Sequence, residues 1–301
     1  MVRLAKDATI PKLRTVVSVA AFLLVGVACL PAQPGPPADV KQLVRDVINN
    51  ELENSHREQS RWMYRLQKQD GAKATVNEVV ETKDFDVHLL LLLNGEPLTP
   101  EQRQKENERL VKLVKDPVEQ RRRKHEQQED DQKALEMFKM LPDAFVYRYS
   151  GNHGSVVELA FRPNPDFHAP SRETQVFHGM EGSMWVDAEK KRLVELDGHL
   201  AQDIEFLGGF FGHLEKGGRF TVRRAEIAPG QWAITDLTVE MKGKALLFKS
   251  INLHQRDSMS DFRPIRSDLN AAQAVDMLKT PASTEVAREL SDSDGRNKVA
   301  R

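Results

Sequence analysis

Nine histidines, one cysteine and a scatter of serines and acids are the side chains with chemical potential in this 301-residue chain. A metal held on one helix face calls for a spacing such as H-E-x-x-H. None occurs: nine residues separate His168 from His178, and thirteen separate His199 from His213. The histidines therefore read as scattered surface residues, and no metal site is expected. A serine hydrolase needs the sharp G-x-S-x-G elbow, which no serine here has. Gly182-Ser183 reads instead as a strand start or a bulge. Gly208-Gly209 and Gly217-Gly218 lack the spacing of a phosphate-cradling loop, and no Gly-Lys-Ser/Thr follows them. The lone Cys29 excludes a disulfide framework, a thiolate zinc site and a redox pair. Asp187 and Asp197 flank a hairpin signal, where turn chemistry accounts for them. No catalytic residue and no cofactor are expected, so the chain is read as a non-enzyme.

Charge narrows the partners. Lys+Arg 44 against Asp+Glu 45 removes the cationic excess that a general nucleic-acid binder needs. The one basic cluster, Arg121-Arg122-Arg123-Lys124, is followed at once by Glu126, Glu129, Asp130 and Asp131. It reads as a solvated helix with internal i,i+4 pairs; docking to anionic lipid or an acidic partner is the other reading.

The informative surplus is apolar. Trp62, Tyr64, Leu89, Leu91, Phe145, Tyr147, Trp185 and Trp232 all fall on predicted strands. If the sheet closes on itself they fill its interior; if it stays open they line a cavity for an apolar ligand. The segment Phe206–Leu214 (FLGGFFGHL) poses the same choice. It is a short buried helix or a mobile plug, with Phe210 and Phe211 as lid candidates.

The elements that would position these residues follow from periodicity. Asp39 to His56 is an amphipathic helix with an Asp39 cap and an apolar stripe of Val40, Leu43, Val44, Val47, Ile48 and Leu52. From Arg61 the period becomes two, with strands about Arg61–Gln67, Thr75–Thr82 and Phe85–Leu93. Thr99-Pro100-Glu101-Gln102 is a capping box with proline at the first helical position. Asp116-Pro117 breaks and restarts that helix, and Glu119 to Lys133 then runs fifteen positions without an apolar residue. Such a helix bridges solvent or lies on the surface, and Pro142 is expected to stop it. Further strands begin at Phe145 and continue beyond residue 250, with turns at Asp187–Lys191, Pro229-Gly230 and Lys242-Gly243. About ten strands joined by short turns argue for an antiparallel sheet or partial barrel. Asn270–Leu278 reads as a short helix and Thr280–Arg301 as a polar, disordered tail.

The first thirty residues read as an address. Arg3, Lys6, Lys12 and Arg14 precede Val16–Leu30, fifteen uncharged residues. As a helix these reach roughly 22 Å, short of the ~30 Å hydrocarbon core, the layout of a secretory signal rather than a retained anchor. Cleavage after Ala32 would leave 40 basic and 44 acidic residues behind a proline-rich linker, 33–38. Alternatively Gly26-Val27-Ala28-Cys29 is a lipobox, and Cys29 carries lipid that anchors the protein to the outer membrane. Neither cysteine pairs nor Asn-x-Ser/Thr sequons occur, which favours a bacterial periplasm.

The order of parts carries a resemblance. An export signal, an amphipathic helix, Trp62-x-Tyr64 on a first strand and a charged helical insertion precede a long meander. That meander holds Gly182-Ser183-Met184-Trp185-Val186-Asp187, Leu193, Gly217-Gly218, Gln231-Trp232 and Leu246-Leu247-Phe248-Lys249. Over residues 39–266 the chain resembles the outer-membrane lipoprotein carrier (LolA-like) periplasmic proteins. The resemblance implies an α+β fold, a strongly curved antiparallel sheet forming an incomplete β-barrel. The N-terminal helix and a helical insertion at about 99–141 would cover it. It also implies an apolar cavity for acyl chains. The expected protein is a periplasmic monomer that binds a lipid, a lipid-like molecule or a lipidated protein, with an inner- or outer-membrane envelope protein as a possible partner. The alternative is a non-enzymatic interaction or stress-sensing module with a filled interior.

Overall fold

A computed structural model describes residues 39–57, 60–206, 212–245 and 249–279. The predicted signal and linker, Cys29, the lid candidates Phe210 and Phe211, and the tail from residue 280 lie outside the described residues.

The chain opens with helix α1 (Val40–Arg57), followed by strands β1 (Arg61–Asp70), β2 (Lys73–Val80), β3 (Val87–Leu93) and the two-residue β4 (Glu96–Pro97). Helices α2 (Pro100–Lys115) and α3 (Pro117–Ala144) come next. The remainder is β5 (Phe145–His153), β6 (Val156–Pro163), a 3-10 turn (Glu173–Gly179), β7 (Met180–Asp187), β8 (Arg192–Leu200), β9 (Ile204–Phe206), β10 (Gly212–Leu214), β11 (Arg219–Ala228), β12 (Gln231–Ala245), β13 (Lys249–Ile265) and α4 (Ala271–Leu278). The fold is α+β, built on one antiparallel sheet in the order β4-β3-β2-β1-β13-β12-β11-β8-β7-β6-β5, with β10 pairing the end of β12 and β9 pairing β10. The sheet is open. Ten of the thirteen strands are long; β4, β9 and β10 have two or three residues each, too few to leave an alternating pattern in the sequence.

Local chemistry starts the elements where the residues demand it. Asp39 accepts the N–H of Gln42 at 2.9 Å and opens α1. Thr99 and Gln102 exchange both bonds of a capping box at the head of α2. Asp116 ends α2 and caps α3, where its carboxylate accepts the N–H groups of Val118 and Glu119. Asn94 and Gly95, both at positive φ, make the turn after β3.

Two expectations need correction. Pro142 does not stop α3, which runs on to Ala144 with the proline buried in its last turn. Lys242-Gly243 is not a turn; β12 passes through it to Ala245. Gly243 is there because β10 lies close: a Cβ would collide with the backbone oxygen of His213.

Two buried clusters hold the fold. The first packs α1 (Leu43, Val44, Val47, Ile48) and the end of α3 onto the inner side of β5 to β8, around Phe145, Leu159, Phe161, Met184 and Leu196. The second packs α2 (Leu110, Leu113) and α4 against Met63, Val80, Phe85 and Val87, on the opposite side of the sheet at its other end. α2 also covers the edge of β3. Glu106 accepts the N–H of Leu90 at 2.9 Å, and Arg109 donates to the carbonyl of His88. Side chains thus satisfy the ladder groups that an open edge would offer to another strand.

Candidate functional site

Between the two clusters run β11, β12, β13 and β1. Register fixes their faces. Val222, Leu237, Asp257 and Lys68 form one row across the four strands, and Phe220, Val239 and Gln255 form the next. Leu196 pairs with Val222, so these rows continue the side that α1 covers. The other side carries Thr221, Thr238, Arg256 and Gln69 in one row and Arg223, Asp236, Ser258 and Gln67 in another. On β11 and β12 the inner side is therefore apolar, on β13 and β1 it carries Asp257, Lys68 and Gln255 as well, and the outer side is polar. Its inner side is incompletely covered: Val222, Leu237, Val239 and Met259 are half-buried and join neither cluster.

Above this floor passes α3. Lys124 meets Asp84 at 2.7 Å and the Gln127 side chain accepts the N–H of Asp86 at 2.9 Å, beside the start of β3. At the far end the Tyr147 hydroxyl donates to the carbonyl of Leu141 at 2.9 Å. Between these moorings residues 128–134 are exposed on every side, nearly two full turns. The polar stretch therefore bridges from one end of the sheet to the other.

A cleft of about 380 Å³ opens where the end of α1 meets the floor. Trp62, Tyr64, Trp232, Ile234, Met259 and Phe262 form its apolar wall, with Arg61, Arg224 and Glu81 among them. Phe262 stacks on Tyr64 at 5.3 Å between ring centres and meets Trp62 edge-on at 6.4 Å. Ile234 is 43% exposed. Trp232 is held from behind by Arg192 and Lys190, each 5.6 Å from its ring.

One buried carboxylate ties α1 to this wall. Glu51 accepts the N–H of Leu193 at 2.9 Å, lies 3.2 Å from Arg192 and pairs with Arg224. Arg224 also donates to the carbonyl of Trp232 at 3.2 Å. Deeper along the inner side sit Asp86, His88, Tyr64 and Asp257. Burial pushes His88 down to about 4, with help from the charges of Arg109, Arg123 and Lys68. Burial raises Asp86, reinforced by Asp131 of α3. The Tyr64 phenol is raised by burial and then by Asp86, Glu81 and Asp257. Asp257 keeps one oxygen buried without a partner while the other accepts from Gln255 at 2.8 Å.

Of the residues predicted to line a cavity, the structure brings Trp62, Tyr64 and Trp232 together in this cleft. Phe145 and Tyr147 belong to a packed aromatic group, with Phe145 4.8 Å from Phe161 and 5.3 Å from Phe177. Trp185 faces the outer side, in one row with Glu158 and Glu195. Leu89 packs against the second cluster. Leu91 is buried at the irregular step in the β2–β3 pairing. Sequence reasoning missed Phe262. Strict alternation puts it outside with Ser258 and Ser260, but β13 sets Asp261 and Phe262 against the single Tyr64, and this bulge, with Asp261 at positive φ, turns the ring inward.

Among the described residues no group of His, Cys, Asp and Glu is arranged to hold a metal, and no helix is long and apolar enough to cross a membrane. No family model, curated protein or solved structure matches the chain.

Proposed function

We propose that the protein is an exported, non-catalytic binder of a lipid or lipid-like molecule, held on the inner side of a half-barrel related to the outer-membrane lipoprotein carriers. The observation that carries this reading is the half-covered apolar stretch of β11 and β12 with the aromatic cleft beside it. Burying acyl carbon there gains about 25 cal/mol per Å² removed from water. The cleft volume falls in the range of small-molecule sites and suits one chain better than a two-chain lipid.

Half-barrel curvature is supported by a comparison of lengths. Nine strand-to-strand steps separate β3 from β5 along the sheet, about 43 Å at ~4.8 Å each. The part of α3 between Gln127, bonded beside β3, and Leu141, bonded to β5, is only about 21 Å long at 1.5 Å per residue. A short chord across a long arc fits a sheet bent toward the helix. α3 then acts as a strap across the mouth. Export rests on the basic head and short apolar run at the N-terminus, with release into the periplasm or lipid anchoring through Cys29 as its two outcomes.

Tryptophan quenching tests the site. The chain has three tryptophans; Trp62 and Trp232 line the cleft and Trp185 faces outward. A brominated fatty acid is expected to quench the first two, followed in Trp→Phe variants, and to leave Trp185 unchanged. Equal quenching of all three, or none with no lipid seen by native mass spectrometry, would instead favour a filled interaction module.

A further inference from the structure

Resting on that reading, we infer that the cleft selects a single-chain amphiphile with an acidic head, a carboxylate or a phosphate, received by Arg61 with the charge of Arg224 beside it. The two arginines line the same small cleft as Trp62, Trp232 and Phe262. In both, the Nε–H is shut away from water and has no acceptor. Neither Nε reaches the void, so a ligand would meet the terminal nitrogens of Arg61, which line the cleft and form no ion pair among the described residues. For Arg224 the rest of the guanidinium is committed, one nitrogen to Glu51 and another to the carbonyl of Trp232. Arg224 therefore lends its charge to the cleft, and Arg61 is left to make the contact.

The charges facing the cleft agree. Its lining holds two guanidiniums against one carboxylate, Glu81, and one oxygen of Glu81 already accepts the N–H of Trp62 at 2.9 Å. Glu51 serves Arg192 and Arg224 together. The acids Asp86 and Asp257 do not line the cleft. Guanidinium matches carboxylate and phosphate oxygens through paired N–H bonds. The apolar wall beside it takes the chain. An alkyl ammonium would meet the two guanidiniums with like charge, and a fatty alcohol would leave the Arg61 charge without a counterion.

The test compares heads on one tail. Titrate the full chain with dodecanoate, dodecyl phosphate, dodecanol and dodecyltrimethylammonium, following tryptophan fluorescence and calorimetry. Acetate and inorganic phosphate serve as heads without a tail. Dodecanoate or dodecyl phosphate should bind about tenfold or more tighter than dodecanol, the difference one charge-assisted hydrogen bond supplies. Whichever of the two leads identifies the head. The tailless anions should bind far more weakly than either. Arg61→Gln should cost the acids about tenfold and dodecanol less than threefold. Arg224 also holds Glu51, so Arg224→Lys, which keeps the charge, is the companion variant and should leave the acids bound while the fold persists. Dodecanol binding as tightly as dodecanoate, or the ammonium binding best, overturns the acidic-head inference and leaves lipid binding standing. Free phosphate binding as well as dodecyl phosphate overturns it in favour of a plain anion site. Failure of every alkyl ligand overturns the lipid-binding reading itself.

Discussion

On the inner side of β5 to β8, alternate side chains end against other side chains. Leu159 and Met184 are fully buried, and Phe145 touches three other rings. On the inner side of β11 to β13, the same alternation ends in half-covered residues such as Val222, Leu237 and Val239. The strands are of one kind and belong to one sheet. The difference lies in what stands opposite: α1 and the end of α3 over the first stretch, and the exposed span 128–134 of α3 above the second. A sheet face becomes core only where an apolar helix stripe reaches it. Where a polar helix passes instead, the face stays half-covered.

Glu51 stands at the seam between the two stretches, and its loss should have the largest effect. Glu51→Gln leaves Arg192 and Arg224 short of a buried countercharge. The expected loss is about 3–5 kcal/mol of unfolding free energy by urea titration, with the cleft losing ligand as Trp232 loosens. A loss under 1 kcal/mol would show that the seam is not under tension. Next comes the packed stretch itself, where Leu159→Ala should cost about 2–5 kcal/mol, read from the same titration, while ligand affinity is retained at temperatures where the variant is folded.

His88 offers a pH lever on the strapped side. Its folded pKa, pushed down to about 4, lies below the ordinary ~6.5. The unfolded chain therefore takes up a proton first as pH falls, and stability drops between about 6.5 and 4. The expected drop is on the order of 1–3 kcal/mol, reduced from the full shift because the ring keeps some accessible surface. His88→Gln should flatten that part of the pH profile. Asp86, whose pKa is raised, acts in the opposite sense at the acid end, so Asp86→Asn should steepen the loss. The smallest change in stability is expected on the bare floor: Ile234→Ala should move unfolding by no more than about 0.5 kcal/mol yet lower fatty-acid affinity. If Ile234→Ala costs as much as Leu159→Ala, the contrast between the two stretches fails.

The long strands up to β11, the caps at Asp39, Thr99 and Asp116, and the turn at Asn94-Gly95 were legible in the chain, since each depends on residues within a few positions; the bounds of β12 and β13 were not. Less could be read of the site. Trp62, Tyr64 and Trp232 stood out as large aromatics on strands, but so did Phe145, Tyr147 and Trp185, and nothing local separates a ring that meets other rings from one that meets a void. Pro142 misled because it costs the helix a single i→i−4 bond, and with Leu141, Pro142 and Ala144 buried the last turn holds all the same. Glu51, Arg61 and Arg224 gave no signal at all: their partners lie far away along the chain.

The sequence by itself determined the α+β character, the antiparallel meander and the polar helix, because alternation, periodicity and capping are short-range consequences of backbone geometry. Tertiary structure alone decided which aromatic residues share a wall. Strand order sets Trp232 across from Trp62, the bulge at Asp261 turns Phe262 inward, and the path of α3 leaves the middle of the sheet bare. Those outcomes depend on which distant surfaces meet, and pairing between distant strands is a property of the whole chain.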